Sequence, residues 1–344
     1  MVLFALVALA VVGAAAIFLV NRLSGPAALE VAEFRPPASP VPMNGTLSVT
    51  TWNIGYAGMG AEADFVMDLG EQKRPLSAQH VETNLQAIGA HLASLDTDVI
   101  FLQEAARPSF STYQIDVLDH VERALPDHGM MYKAEAETRF LPPPIRTSVG
   151  SAIFSRHAAR SAERRALPLE PTYVAGTFRK AYRMHILRLT EDTGVEWVLI
   201  NVHLSTFDTP EDDVRGAQVK ALMAFAQSEY QAGRHVVIGG DWNLRLSPTE
   251  FPHNTDERFR FWIRDFPQEQ VPADWHWAVD AEVPTVRTAH KPYVAGENYV
   301  LIIDGFLVSP NVETVSVQAD DLGFRNTDHH PVRASFRSKA PSGN

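Results

Sequence analysis

His235-Val236-Val237-Ile238-Gly239-Gly240-Asp241-Trp242-Asn243 reads as a strand that ends in chemistry. The β-branched residues favour a pleated backbone, and the two glycines let the chain turn or approach a neighbour closely before a carboxylate and a carboxamide. A helical pattern precedes it over Pro210 to Ala232, with Thr209 as N-cap, Pro210 at the first position, Glu211, Asp212 and Asp213 in the first turn and Gly233 after the end. Working outward, the same design recurs. Leu47 to Ile54 closes on Thr51-Trp52-Asn53, Asp98 to Leu102 runs into Gln103-Glu104, and Glu196 to Leu204 carries Asn201-Val202-His203. Tyr299 to Val308 carries Ile303-Asp304-Gly305, and Asn326-Thr327-Asp328-His329-His330 leads into Pro331 to Phe336. Ser148 to Ser155 and Tyr182 to Leu189 complete the strands, and Gln79 to Leu95 and Tyr113 to Leu125 are further helices. Many strands and few helices suggest two packed sheets with helices outside them, although periodicity equally supports a parallel doubly wound sheet.

The chain has 344 residues, 45% of them apolar and 21% charged, enough to bury a large core. Its formal charge, 30 − 41 = −11, argues against a DNA-wrapping or polybasic membrane-surface protein, because phosphates are captured by concentrated Lys and Arg. The absence of cysteine excludes disulfides, thiolate zinc sites, iron-sulfur clusters and thiol nucleophiles.

Residues Val2 to Val20 are uninterruptedly apolar or small, about 28 Å long as a helix, so 1–23 is expected to be a transmembrane anchor or a signal segment. The missing cationic n-region favours a retained single-pass anchor, and Arg22 alone leaves its orientation open. Residues 24–45, with Pro26, Pro36, Pro37, Pro40 and Pro42, read as a semi-rigid linker. One domain is expected over 46–338, followed by a frayed tail at 339–344. Asn44-Gly45-Thr46 fits a glycosylation acceptor, which matters only in a secretory eukaryotic context.

Taken singly, a strand-end Asn or Asp is more often a turn residue than a ligand, and a lone strand His is more often a satisfied interior group. Their co-occurrence makes a hard, oxygen-rich site suited to Mg²⁺ or Mn²⁺ and to phosphoester hydrolysis. Thr-Trp-Asn at Asn53, Leu-Gln-Glu at Glu104, Asn-Val-His-Leu at His203, Gly-Asp-Trp-Asn at Asp241 and Asn243, Ile-Asp-Gly-Phe-Leu-Val-Ser at Asp304 and Thr-Asp-His-His-Pro at Asp328 and His329 follow in order. This order resembles the endonuclease/exonuclease/phosphatase superfamily from about Leu47 to Phe336. The resemblance implies a four-layer α/β sandwich of two packed mixed β-sheets flanked by helices, here with an N-terminal transmembrane helix. It also implies site roles: Glu104 as principal metal ligand, assisted by Asn53 and Asp328, and Asp241 as the carboxylate that orients and deprotonates water. Asn243 would hold the nucleophile or a phosphate oxygen. His329 would contact the scissile phosphate with Asp304 as its partner, and His203 would bind phosphate or protonate the leaving group. His330 points to the opposite face in extended chain and reads as structural or surface.

Around these motifs, the insertion from Gly55 to Ser77 carries Tyr56, Asp64, Asp68, Lys73 and Arg74 and must lie near the mouth of the site. Arg139 to Arg146 and Phe178-Arg179-Lys180 supply basic residues. Lys180, Arg183, Arg146 and Lys291 are candidates for a second phosphate or anionic headgroup, with ordinary solvated charge as the commoner explanation. Trp262, Phe266, Trp275, His276 and Trp277 read as packing before they read as a surface patch. The expected function is a membrane-anchored, Mg²⁺-dependent phosphohydrolase acting on nucleic acid or on a phospholipid or sphingolipid headgroup. No obligate protein partner is evident. The alternative, a catalytically inactive binding or scaffold protein, predicts a lost ligand or base, and every motif position is filled.

Overall fold

The computed structural model describes residues 2–23, 27–138, 141, 143–170, 180–208 and 212–339, without the side chains of 2 and 17–23. The expected cap at Thr209, Pro210 and Glu211, the basic residues Arg139 and Arg179 with Phe178, and tail positions 340–344 lie outside the described residues.

Two mixed sheets pack face to face with helices on their outer surfaces. One has the order β14 (Val312–Ala319), β15 (Val332–Ser338), β2 (Thr46–Asn53), β3 (Val99–Ala106), β5 (Ser148–Ser155), β4 (Gly129–Glu137). The other runs β1 (Leu29–Val31), β6 (Ser161–Ala166), β7 (Arg183–Thr190), β8 (Glu196–His203), β9 (His235–Asp241), β13 (Asp304–Val308), β10 (His276–Ala278). A small hairpin, β11 (Val286–Arg287) with β12 (Val300–Leu301), stands apart.

Strand alternation builds the layers. On β3, Val99 and Phe101 face the core between the sheets, while Ile100 and Leu102 pack outward with Val81, Leu85, Ile88 and Leu92 of α2 (Ala78–Ser94) and Val121 of α3 (Val117–Ala124). On β8, Trp197 and Leu199 point inward, whereas Val198, Ile200 and Val202 meet Val219, Leu222 and Ala226 of α4 (Val214–Gln231). Burying each such side chain stabilises the fold by about 1.5–3 kcal/mol, so this period of two fixes which face of each strand is inside.

Each sheet contains one parallel pair, β2 with β3 and β8 with β9. In register, Asn53 lies beside Gln103, and His203 beside Asp241, which also faces Asp304 on antiparallel β13. The carboxyl ends of both pairs therefore deliver the polar motif residues to one edge of the sandwich. The double glycine is needed there. A Cβ on Gly239 would lie 2.4 Å from the Phe306 ring, and Gly240, at φ +148°, would bring one to 1.9 Å from the Val202 carbonyl oxygen.

Three expectations change. Residues 29–43, read as a stalk, lie against the domain: β1 pairs with β6, Arg35 N–H donates to Met130 O at 2.9 Å, Val41 N–H to Arg156 O at 2.9 Å, and Met43 is buried between the sheets. The described helix α4 starts at Val214, capped by Asp213, whose carboxylate accepts from Gly216 N–H at 2.9 Å. The expected single-pass membrane placement is corrected, because among the described residues no helix is long and apolar enough to cross a membrane. Helix α1 (Val2–Leu23) forms as expected.

Candidate active site

Asp241 sits at the end of β9, buried, with both carboxylate oxygens engaged. Its Oδ2 accepts from Asn53 Nδ2 at 2.9 Å and its Oδ1 from the Asn243 backbone N–H at 2.9 Å. His203 Nε2 lies 3.5 Å and His329 Nε2 3.8 Å from Oδ2. Burial pushes the Asp241 carboxyl upward, but His329, His203 and these two donors together hold it below the usual carboxylate range. It is therefore ionised near neutrality, as a proton acceptor must be.

His329 owes its orientation to Asp304 beneath it. The Asp304 Oδ2 accepts from His329 Nδ1 at 2.9 Å, and the Asp304 backbone N–H donates to Thr285 Oγ1 at 3.0 Å. This bond fixes the tautomer and turns Nε2 toward Asp241. Burial disfavours the imidazolium, yet Asp304 and Asp241 outweigh it and raise His329 to about 10. Burial raises Asp304 to about 6 in spite of its histidine. Asp241, Asp304 and His329 offer donor atoms within 4.8 Å of one another. Within that trio the Asp304 Oδ2 is taken by the imidazole, while His329 Nε2 stands 3.8 Å from Asp241, just beyond hydrogen-bond reach.

His203 is buried and pressed from above by Lys180, whose Nζ lies 3.2 Å from Nδ1 and 3.1 Å from Nε2. Desolvation and this ammonium lower His203 to about 4, so near neutrality it is an uncharged hydrogen-bonding group. Asn243, at φ +50°, donates its side-chain Nδ2 to Leu204 O at 3.0 Å. Its amide carbonyl oxygen is the group left to face the cleft.

Glu104 comes from an irregularity in β3: the pairing with β5 slips between Leu102 and Ala105, and Glu104 itself adopts φ +56°. Such bulges re-aim a side chain beside a site, at a strain cost of about 1–3 kcal/mol. Its carboxylate lies 3.9 Å from His203 Nε2, too long for a hydrogen bond. Burial, with the Asp328 and Asp241 carboxylates, raises Glu104 to about 7 against the pull of Lys180. Carboxylates crowded in this way suit a divalent cation, and Glu104, Asp328 and the Asn53 carbonyl oxygen are the oxygen donors that could hold one. Asn53 Oδ1 also accepts from Gly55 N–H at 3.0 Å, which holds the carboxamide in place.

Of the eight candidate residues, Asn53, Glu104, His203, Asp241, Asn243, Asp328 and His329 line one cleft of about 470 Å³, and Asp304 supports it from below. His330 is buried away from it. It accepts from Phe324 N–H through Nε2 at 3.1 Å, donates through Nδ1 to Pro284 O at 2.9 Å and stacks on Phe324. Among the cleft residues that escaped assignment are Asp68 and Arg287. Asp68, recognised only as part of an insertion near the mouth, accepts from Ala289 N–H at 2.8 Å and is raised to about 6 by burial. Arg287 is fully buried on β11 and donates to Gly60 O at 2.7 Å. No sequence signal marks Arg287, since it sits in a two-residue strand amid loop.

The sequence model of the Endonuclease/Exonuclease/phosphatase family matches residues 50–329. No curated protein sequence matches the chain. Among solved structures, an endonuclease/exonuclease/phosphatase from Beutenbergia cavernae DSM 12333 shares 18% identity at a TM-score of 0.58, covering 86% of this chain and 72% of that one. TDP2 from C. elegans shares 17% at 0.52, covering 85% and 75%. ANGEL2, a 2′,3′-cyclic phosphatase, shares 14% at 0.54, covering 90% and 98%. At such identities these likenesses speak for the fold. Together with the family match across most of its length, they make this chain a member of the endonuclease/exonuclease/phosphatase family of phosphoester-cleaving hydrolases.

Proposed function

We propose that the chain hydrolyses a phosphodiester or phosphomonoester with the help of a divalent cation, Mg²⁺ or Mn²⁺, held by Glu104 and Asp328 with Asn53. The observation that carries this reading is the ionised, buried Asp241 with the Asp304-held His329 imidazolium 3.8 Å away. Asp241 takes a proton from water. The water oxygen bonds to phosphorus, the ester P–O bond opposite it breaks, and the departing oxygen is protonated from solvent. His329 donates through Nε2 to a phosphate oxygen and offsets the charge that builds there, while Asn243 orients the water through its carbonyl oxygen. When bound, the cation would polarise a phosphate oxygen and neutralise part of its charge. His203, being neutral, hydrogen-bonds to the phosphate without supplying a proton. The catalytic domain is taken as residues 46–338, completed by residues 29–43, which pack onto it.

The lipid-headgroup alternative rested on the membrane placement and is not carried further. Nucleic acid and small phosphoesters remain, the latter including 2′,3′-cyclic phosphates of the kind named for ANGEL2. The test is hydrolysis of plasmid DNA, RNA, a 2′,3′-cyclic nucleotide and bis(p-nitrophenyl) phosphate with Mg²⁺, with and without chelator. Turnover of at least one substrate that chelation abolishes is expected. Activity indifferent to chelator, or none on any substrate, overturns the proposal.

A further inference from the structure

Beyond its catalytic end, the cleft is walled by apolar side chains. Met59, Phe65 and Met67 come from the insertion after β2, and Phe207, Trp262 and Ile303 from the other sheet's loops and edge. Apart from Met67 they belong to two small apolar clusters, Met59 with Ala63, Ala289 and Phe65, and Trp262 with Val286, Ile303 and Phe207. These clusters are separate from the three cores that bind sheets to helices. Met67 is 50% exposed at the cleft, an apolar and adaptable side chain with surface left to cover.

The wall is preformed. Arg287 donates to Gly60 O at 2.7 Å and, at 3.4 Å, to Met59 O and Ala63 O, while Asp68 accepts from Ala289 N–H at 2.8 Å. These bonds tie the insertion to the chain around β11, so a ligand need not order it.

Cations are scarce. Among the described residues lining the cleft, Lys180 and Arg287 are the only Lys or Arg, and the Arg287 terminal nitrogens are occupied by backbone carbonyls. The adjoining cleft, which shares Glu137, contains Arg107, Lys133 and Arg146. Each is paired: Arg107 with Asp116 at 3.3 Å and Glu122 at 3.2 Å, Lys133 with Glu30 at 2.8 Å, and Arg146 with Glu137 at 2.9 Å. A polynucleotide tracked through several phosphates needs a row of available cations, and among the described residues none continues from the catalytic end. A cleft of about 470 Å³ has the size of a small-molecule site.

We infer that the substrate is a small ester with a single phosphate and one flat, largely apolar ring seated against Met59, Phe65, Met67 and Phe207. This inference rests on the phosphoesterase reading above but is testable apart from it. Phenylphosphonate and methylphosphonate, which cannot be hydrolysed, are titrated calorimetrically into the full chain with Mg²⁺, alongside a short oligonucleotide. Phenylphosphonate should bind about tenfold more tightly than methylphosphonate, from the extra apolar area removed from water. It should also outbind the oligonucleotide. The exposed Met67→Glu substitution should bring the phenyl-to-methyl ratio close to one. Equal affinities, a ratio unmoved by Met67→Glu, or tighter binding of the oligonucleotide overturns the inference. In parallel, phenyl p-nitrophenyl phosphate should show about tenfold higher kcat/KM than its methyl counterpart, chiefly through KM. A phenyl preference in binding without turnover of either ester supports the subsite and defeats the catalytic reading, whereas equal kcat/KM defeats the subsite alone.

Discussion

Asp304 illustrates how one buried side chain sets the chemistry of another. It touches no substrate; it holds His329 Nδ1 at 2.9 Å and helps raise that imidazole to about 10. It is a positioning residue. Asp304→Asn keeps the shape and removes the charge, so His329 should titrate at lower pH, and the alkaline limb of kcat should move down from near 10. At neutral pH kcat should fall by about 10²–10⁴ with little change in KM. A pH–rate profile of the two proteins checks this, and an alkaline limb that stays in place contradicts it. Asp304 and His329 were legible through the family resemblance of the runs Ile303-Asp304-Gly305 and Thr327-Asp328-His329-His330-Pro331. Asp68 and Arg287 were not assigned roles. The first sits on an insertion whose path depends on contacts far along the chain, and the second on a strand of two residues.

Among the elements, the end of β9 is tightly constrained. Gly240→Ala would place a Cβ 1.9 Å from the Val202 carbonyl at φ +148°, so β8 and β9 would have to part just where His203 and Asp241 meet. The substitution should destabilise the protein by about 3 kcal/mol or more, measurable by denaturant unfolding. A loss below about 1 kcal/mol would show that the strands yield easily. The strands with β-branched cores, β2, β5, β8 and β9, could be read directly. Strand β6, Ser-Ala-Glu-Arg-Arg-Ala, could not, because its charged residues belong to a half-exposed ribbon where packing, and not propensity, decides. Helix α3 begins later than its apolar pattern suggests, since Tyr113 and Gln114 take left-handed backbone and Asp116 supplies the cap. The bulge that aims Glu104 has no local sequence mark either.

For the whole molecule, the site exists because two sheets bring the carboxyl ends of two parallel pairs to the same edge. A polar seam joins them there: Gln103 Nε2 donates to Asn201 Oδ1 at 2.7 Å, and Asn201 Nδ2 donates to Leu102 O and Ala152 O. Buried carboxamides hydrogen-bonded across the sheets in this way set their relative placement, which an apolar interface would leave freer to slide. Motif order made this architecture legible through family resemblance, whereas periodicity alone left two sheet arrangements open. The negative charge also gains meaning, since part of it converges on Glu104, Asp241, Asp304 and Asp328. The central claim is that Asp241 activates water at phosphorus within that convergence. The most direct measurement is kcat for Asp241→Asn against wild type on bis(p-nitrophenyl) phosphate at saturating Mg²⁺, with folding verified by thermal unfolding. A fall of at least about 10³-fold in a folded variant is predicted, and a folded variant that keeps more than about a tenth of wild-type kcat would contradict the account.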